Sequence, residues 1–315
     1  MRPTLFDVAQ QAGVSPSTAS RAFGRPEKVD PDTRSLVLAA AETLGYQPNA
    51  AAQALATGKT GRVAVVVPDL RNPFFAAVLR GATIRLEQAG IQTLVADFGD
   101  DPETEARLIA SLQRHVDALI LCSPRLGDRE LEKVRGECSV VLVNRTSTTL
   151  PHVHFDNAGG IQQGLQHLRA LGHQRICYAA GPQSSRSARE RLAAFEGSGE
   201  VLGEYPSTFD GGAQAVDAAL ASSATALIAY NDVQAIGAVH RILSYGMALP
   251  ARLSIVGFDD LPISALVTPA LTTVAIPQES AGIEAAGLIL GGDTGALSLS
   301  ARLVVRASTA QPGSH

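Results

Sequence analysis

At 315 residues the chain is long enough for two or three domains, each burying its own core. Hydrophobic residues make up 45% and charged residues 18%, as in an ordinary soluble globular protein, and a net charge of −4 excludes bulk positive charge as a source of nucleic-acid affinity. Cys122, Cys138 and Cys177 have neither zinc nor disulfide spacing and are expected to be buried, reduced thiols.

The first stretch, Thr4 to Gly24, predicts two short helices around a tight turn. Thr4 caps the first, with Asp7 three residues on completing a capping box, and Leu5, Val8, Ala9 and Ala12 share one face. Gly13 gives the turn its conformational freedom. Ser15 followed by Pro16 starts the second helix, whose buried side is Ala19, Ala22 and Phe23. Ser17, Ser20 and Arg21 lie on the opposite face, where a base-reading surface belongs. Helix, glycine turn and helix form the helix-turn-helix pattern, whose second helix enters the DNA major groove. A third helix begins at Asp30-Pro31 and runs through Val37, Ala40, Ala41 and Leu44 to Gly45. Arg2, Arg21, Arg25, Lys28, Arg34 and Lys59 outnumber the acidic Asp7, Glu27, Asp30, Asp32 and Glu42 by only one. DNA affinity must then come from local placement and from doubling in a dimer.

The segment 46–59 is alanine-rich, and an isolated helix of that length is marginal in water. It suits a segment that becomes helical only on DNA; the plainer reading is a linker. With Gly45-Tyr46, Pro48-Asn49 and Gln53 to Leu55 in register with Thr4 to Phe23, the chain resembles the LacI/GalR family of bacterial transcription repressors. The resemblance continues to Arg306-Ala-Ser-Thr309 and so covers nearly the whole chain. It implies a headpiece over residues 1–45, a hinge over 46–59 and an effector-binding, dimerising domain over 60–315. It also places Thr4, Ser15, Pro16, Ser17, Thr18, Ser20 and Arg21 at the operator, joined by Asn49, Ala52 and Leu55 of the hinge. In the family the leucine matching Leu55 wedges into the minor groove and kinks the duplex. Pro16 and Ser17 depart from the family by lacking long base-reading side chains.

Val63 to Val67 is a continuous β-branched run, as in a buried parallel strand. Helices about 74–89, 103–114 and 128–135 then alternate with strands near 92–96, 118–122 and 140–143. Strand 153–155, helix 158–171, strand 175–179 and helix 186–197 follow, then helix 212–220, strand 225–229, helix 232–245 and strand 253–257. This alternation predicts an α/β architecture of two doubly wound parallel-sheet lobes, roughly 60–157 with 274–296 and 158–273 with 297–309, beside the small all-α headpiece. Ligands of such sheets bind beyond the carboxyl ends of the strands. Those positions hold Asp69, Asn72, Phe74 and Phe75; Asn144 and Arg145; Asp156 and Asn157; Arg189 and Arg191; Asn231 and Asp232; and Phe258, Asp259 and Asp260. Amides, carboxylates and guanidinia supply the donors and acceptors that sugar hydroxyls require, and a phenyl ring stacks on a pyranose. The layout resembles the type I periplasmic-binding-protein fold of the family's effector domain. The resemblance places Phe74 or Phe75, Asn144, Arg145, Arg191, Asn231 and Asp259 at the effector, and the position after strand 175–179 adds Arg189.

Blander readings stand beside these. One of Phe74 and Phe75 belongs to the core, Asp156 and Asp232 can cap helices, and one of Arg186, Arg189 and Arg191 is a surface charge. His152 and His154 flank Val153 without a third metal ligand, and Gly159-Gly160 and Gly211-Gly212 read as flexible helix starts. No phosphate-cradling glycine pattern follows Val67, and no nucleophile–base pair or metal cluster points to an enzyme, so no cofactor is expected. A solute receptor for transport would share the lobes, but the headpiece stands where a signal peptide would. No basic-then-apolar leader and no apolar run near the ~18 residues of a membrane span occur, so a cytoplasmic, nucleoid-associated regulator is expected. The segment between Phe195 and Gly212 is shorter than in relatives, and the second lobe is expected to lose part of a helix–strand connection there. Without a heptad tail after Thr309, a homodimer is expected. The expected partners are double-stranded operator DNA and a small sugar or related metabolite. Arginines in the cleft leave an acidic or phosphorylated effector open.

Overall fold

The structure is a computed structural model and describes residues 3–46, 58–136, 138–292 and 294–313. The hinge positions Asn49, Ala52 and Leu55 lie outside the described residues. The chain divides into two compact units, an N-terminal one reaching to Arg62 with His115–Asp117 added, and a larger one holding the rest.

In the N-terminal unit, α1 (Leu5–Gln11), α2 (Pro16–Gly24) and α3 (Pro31–Leu44) follow the caps in the sequence. Thr4 and Asp7 form the reciprocal capping box. Gly13 turns the chain at φ +67°, and the Ser15 hydroxyl accepts the Thr18 N–H at 3.1 Å to start α2. Val8, Ala9, Ala19, Ala22, Val37, Ala40 and Ala41 form the buried centre, with Leu5, Phe23, Leu44 and Tyr46 packed around it. Gly45 at φ +64° ends α3, its N–H reaching the Ala41 and Glu42 carbonyls. Farther along, the Asp117 carboxylate accepts the main-chain N–H of Thr60 at 2.6 Å and of Gly61 at 2.8 Å.

The larger unit contains two six-stranded sheets. The first has the order β11 (Ala296–Leu299), β5 (His152–Phe155), β4 (Ser139–Val143), β3 (Ala118–Cys122), β1 (Arg62–Val67), β2 (Gln92–Asp97). The second has the order β12 (Arg302–Val304), β10 (Thr272–Ala275), β9 (Ser254–Asp259), β8 (Ala226–Ala229), β6 (Ile176–Ala180), β7 (Glu200–Glu204). Central strands are buried from end to end, as β-branched and aliphatic runs covered on both faces must be. Strands β1 and β3, β3 and β4, β4 and β5, β5 and β11, β6 and β7, β6 and β8, β8 and β9, and β9 and β10 pair in parallel, and β10 and β12 antiparallel. Helices α4 (Pro73–Glu87), α5 (Pro102–Leu112), α6 (Asp128–Arg135) and α11 (Gln278–Gly291) go with the first lobe. Helices α7 (Asn157–Ala170), α8 (Arg186–Phe195), α9 (Phe209–Ala221) and α10 (Asp232–Ser244) go with the second.

The chain crosses between lobes after β5, after β10 and after β11. Two expected boundaries therefore shift: Val274 and Ala275 belong to the second sheet, and Leu297–Leu299 to the first. The short segment after Phe195 keeps its strand, since β7 follows α8 after a turn at Gly197 and pairs with β6 across a bulge at Tyr178/Ala179. Gly160 and Gly212 are places of close approach rather than loose helix starts. A Cβ on Gly160 would strike the Phe258 ring, and one on Gly212 would strike the Gln234 carbonyl oxygen. Gly81 on α4 meets Glu279, and Gly282 on α11 meets Val78, both through main-chain oxygens; Gly237 on α10 meets Phe209 likewise. Each lobe thus carries one helix pair drawn together at reciprocal glycines.

Candidate functional site

The carboxyl ends of the two sheets border a cleft of about 580 Å³. Its first-lobe side is formed by Asp69, Asn72, Phe74 and Phe75 after β1, Asp100 after β2, Ser123 and Arg125 after β3, and Asn144 after β4. The second-lobe side is formed by Arg191, Tyr230, Asn231, Asp259 and the segment Glu204–Thr208. Asp100, Ser123, Asn144, Asp259 and Asp260 are the non-glycine residues with positive φ among the described residues. Four of the five line the cleft, and strain of this kind gathers where side chains must be aimed against local preference.

The floor is built on Arg191. Its guanidinium is 2% exposed, donates from Nε to Asn157 Oδ1 at 2.8 Å and from Nη1 to the Tyr230 carbonyl at 2.7 Å, and lies 3.5 Å from Asp259 Oδ1. It stands 3.5 Å over the Phe258 ring and 5.0 Å from that of Tyr230. Asp259, at φ +119°, is buried. Burial pushes its carboxyl up to about 8, with the Arg191 charge pulling down and Asp232 pushing up. Asn231 caps α10, its Oδ1 accepting the Gln234 N–H at 3.0 Å. Asn144, at φ +58°, donates to Ser123 Oγ at 2.8 Å and keeps its buried Oδ1 unpartnered among the described residues. Phe74 and Phe75 meet edge to face at 4.9 Å and both line the cleft, so neither is confined to the core.

Two expected contacts are placed elsewhere. Arg145 is buried, but its guanidinium donates to the Pro124 and Leu126 carbonyls and pairs with Asp128 at 2.8 Å; it holds the β3–α6 loop and does not line the cleft. Arg189 is exposed and donates to the Gln183 carbonyl instead of facing the cleft. The reason for the first is local: Asn144 in the left-handed region turns the chain, so that Arg145 points back under its neighbouring loop. Asp156 caps α7 through the Gly159 N–H at 2.8 Å. Asp232 caps nothing; buried, it accepts from Leu261 N–H, Ser264 Oγ and Thr273 Oγ1, and burial raises its carboxyl to about 6. Asp260 pairs with Arg306 at 2.6 Å. The His152 and His154 rings lie 5.4 Å apart, and no group of three metal-ligating side chains occurs among the described residues.

Asp100, Ser123 and Arg125 were missed although they obey the strand-end rule; reading every strand end would have found them. Glu204 ends β7 and Tyr205–Thr208 follow it; the Glu-Val-Leu-Gly-Glu sequence of β7 gives no strand signal.

On α2, Ser15, Pro16, Ser17, Ser20 and Arg21 are exposed and Thr18 is half-buried; Thr4, before α1, is exposed. Ser15 Oγ lies 2.9 Å from both Ser17 Oγ and Thr18 Oγ1, and Arg21 Nε donates to the Ser17 carbonyl at 3.0 Å.

A helix-turn-helix unit followed by two parallel-sheet lobes around a polar cleft defines a ligand-responsive transcription regulator. The family model for "Bacterial regulatory proteins, lacI family" matches residues 4–49, and that for "Periplasmic binding proteins and sugar binding domain of LacI family" matches residues 60–296. The chain is 36% identical to the transcriptional regulator GalS of Salmonella typhimurium, over 95% of this chain and 92% of that one. It is 30% identical to the transcriptional repressor CytR of Escherichia coli, over 97% and 96%. Among solved structures, the Lac repressor dimer bound to operator and the anti-inducer ONPF matches with a TM-score of 0.86 and 30% identity, covering 98% of this chain and all of that one. The regulator CelR in complex with cellobiose matches at 0.71 with the same identity and coverage. The chain belongs to the LacI family of bacterial transcription regulators. It is a DNA-binding regulator with a sugar-binding type of effector domain, not an enzyme. No helix among the described residues is long and apolar enough to cross a membrane.

Proposed function

We propose that the protein is a repressor that binds a pseudo-palindromic operator as a homodimer and is controlled by a neutral, polyhydroxylated effector, a sugar or close relative, held in the cleft. Thr4, Ser15, Pro16, Ser17, Thr18, Ser20 and Arg21 meet the operator half-site. Phe74 or Phe75, Asn144, Arg191, Asn231 and Asp259 meet the effector. The observation that carries the effector class is the pairing of cleft charges. Arg71 is bidentate with Asp69 at 2.9 and 3.0 Å, Arg125 donates to Asp100 at 2.7 Å, and Arg191 faces Asp259. Glu204 adds a further carboxylate to the lining. An anionic effector would meet the Asp69 and Asp100 carboxylates beside Arg71 and Arg125, and an Arg191 already engaged by Asn157 Oδ1 and the Tyr230 carbonyl, whereas hydroxyl groups can both donate to carboxylates and accept from guanidinia and amides. Cellobiose bound to CelR is a ligand of that chemistry.

A thermal-shift panel tests the effector class, since a ligand of the folded state raises the melting temperature. Neutral monosaccharides and disaccharides should include at least one that stabilises, while sugar phosphates and uronic acids should not. Stabilisation by anions alone would overturn the effector class. A gel shift on genomic upstream fragments, with and without the stabilising sugar, then tests the repressor reading.

A further inference from the structure

The loop from Ser123 to Asp128 carries Ser123 and Arg125 into the cleft, yet it is held from behind by two buried charges that do not line the cleft. Glu105 on α5 is wholly buried, and one of its oxygens accepts the main-chain N–H of Arg125 at 2.8 Å and of Leu126 at 3.0 Å. Arg145, from the end of β4, takes the carbonyls of the same loop, those of Pro124 and Leu126, and pairs with Asp128 at its far end. The N–H groups thus go to an anion on one element and the C=O groups to a cation on another. Such charge-assisted bonds fix a loop more firmly than neutral ones. What the loop presents is strained: Ser123 sits at φ +45°, and the Arg125 side chain turns back to its own Ser123 carbonyl at 2.7 Å while reaching Asp100. Glu105 Oε1 and Arg145 Nε are buried without a hydrogen-bond partner among the described residues, so this pair costs stability that a hydrophobic core serving packing alone would not.

We propose that Glu105 and Arg145 are positioning residues for effector selectivity: gripping the main chain of the 123–128 loop from beneath, they set where Ser123 and Arg125 stand in the cleft without touching the effector. The proposal rests on the cleft being the effector site.

The test uses the full-length chain and its variants Glu105→Ala, Glu105→Gln and Arg145→Lys. Hydrogen exchange reads the loop independently of any ligand. In Glu105→Ala the amides of Arg125 and Leu126 should exchange about tenfold faster or more, as loss of a charged acceptor implies, while those of β3 keep their protection and show the fold intact. Glu105→Gln retains a carbonyl acceptor in the same place and should restore most of that protection. Calorimetric titration with D-glucose, D-galactose, D-ribose and cellobiose then reads selectivity. Glu105→Ala and Arg145→Lys should change the ratio of dissociation constants between the best and next-best sugar by about tenfold, because misplacing a polar group penalises each hydroxyl pattern differently. Unaltered loop exchange in Glu105→Ala overturns the clamp, and a loosened loop with an unaltered ratio overturns the selectivity role; both leave the effector reading standing. Wild-type protein that binds none of the four sugars removes the selectivity role together with the effector reading, even if the loop responds as expected.

Discussion

Asp259 is buried beside Arg191 and close enough to Asp232 to feel its charge, and its carboxyl is pushed up to about 8 chiefly by burial. A raised folded-state value means that folding favours the protonated acid. Its contribution to stability is full below the usual carboxylate range and is lost as pH rises through about 8. Asp259→Asn cannot ionise, so its melting temperature should gain on the wild type between pH 5 and pH 9; parallel curves would show that Asp259 does not titrate there. An effector hydroxyl donating to the carboxylate favours the ionised form. Effector affinity in the wild type should therefore rise from pH 6.5 to 8.5 and stay flat in the variant, as calorimetry at both values would show. Arg21 is exposed on α2, and the proposed operator contact has its guanidinium pair with a guanine edge. Arg21→Ala should cost about 1–3 kcal/mol of operator binding and relax preference at one position per half-site. Equal loss on specific and random DNA in a gel shift would make it a phosphate contact instead. The cleft was partly legible in the sequence because strand ends announce it: Asn144, Asn231 and Asp259 follow or end buried runs and line it, whereas Arg191 reaches it from within α8. Arg145 follows the same rule and fails it. Sequence shows which residue leaves a strand but not which way a left-handed residue turns the chain before the next side chain is aimed.

At the scale of elements, each lobe's helix pair depends on a backbone approach that only glycine allows. Gly282→Ala would drive a methyl group into the Val78 carbonyl, and Gly237→Ala one into that of Phe209. Overpacking of this kind costs roughly 1–3 kcal/mol. Each substitution should lower the melting temperature by several degrees, measured by calorimetry, whereas Gly287→Ala, which meets nothing, should not. The same elements explain which parts of the fold could be read in advance. Strands β1 and β3 are covered on both faces and announce themselves as apolar runs. Strands β7 and β11 are sheet edges whose residues are mostly exposed or half-buried, so they lack the pattern that marks a strand. Helix α11 is hydrophobic on nearly all sides and rich in glycine and alanine, so it carries no clear stripe.

For the whole molecule, an effector changes operator affinity only through its differential affinity for the DNA-binding and non-binding arrangements, typically about 1–3 kcal/mol of coupling. By linkage, operator DNA must alter effector affinity by the same factor. Full-length protein titrated with a stabilising sugar should show that dependence, and a chain lacking residues 1–59 should bind the sugar with an affinity indifferent to operator. Identical affinities with and without DNA in the full-length protein would detach the cleft from the DNA response. The crossings after β5, β10 and β11 also set an order of assembly as the chain leaves the ribosome. By Ala275 the second lobe has every strand but its β12 edge, whereas the first, begun earlier, still lacks α11, which pairs with α4, and its β11 edge. The lobe that starts first is completed late and must wait with its apolar helix face uncovered while its successor forms. Chains ending at residue 276 should therefore protect β6, β8 and β9 from hydrogen exchange but not β1 and β3, and chains ending at residue 313 should protect both sets. The exposed intermediate, rather than the finished protein, is then the form that a chaperone or a protease would meet.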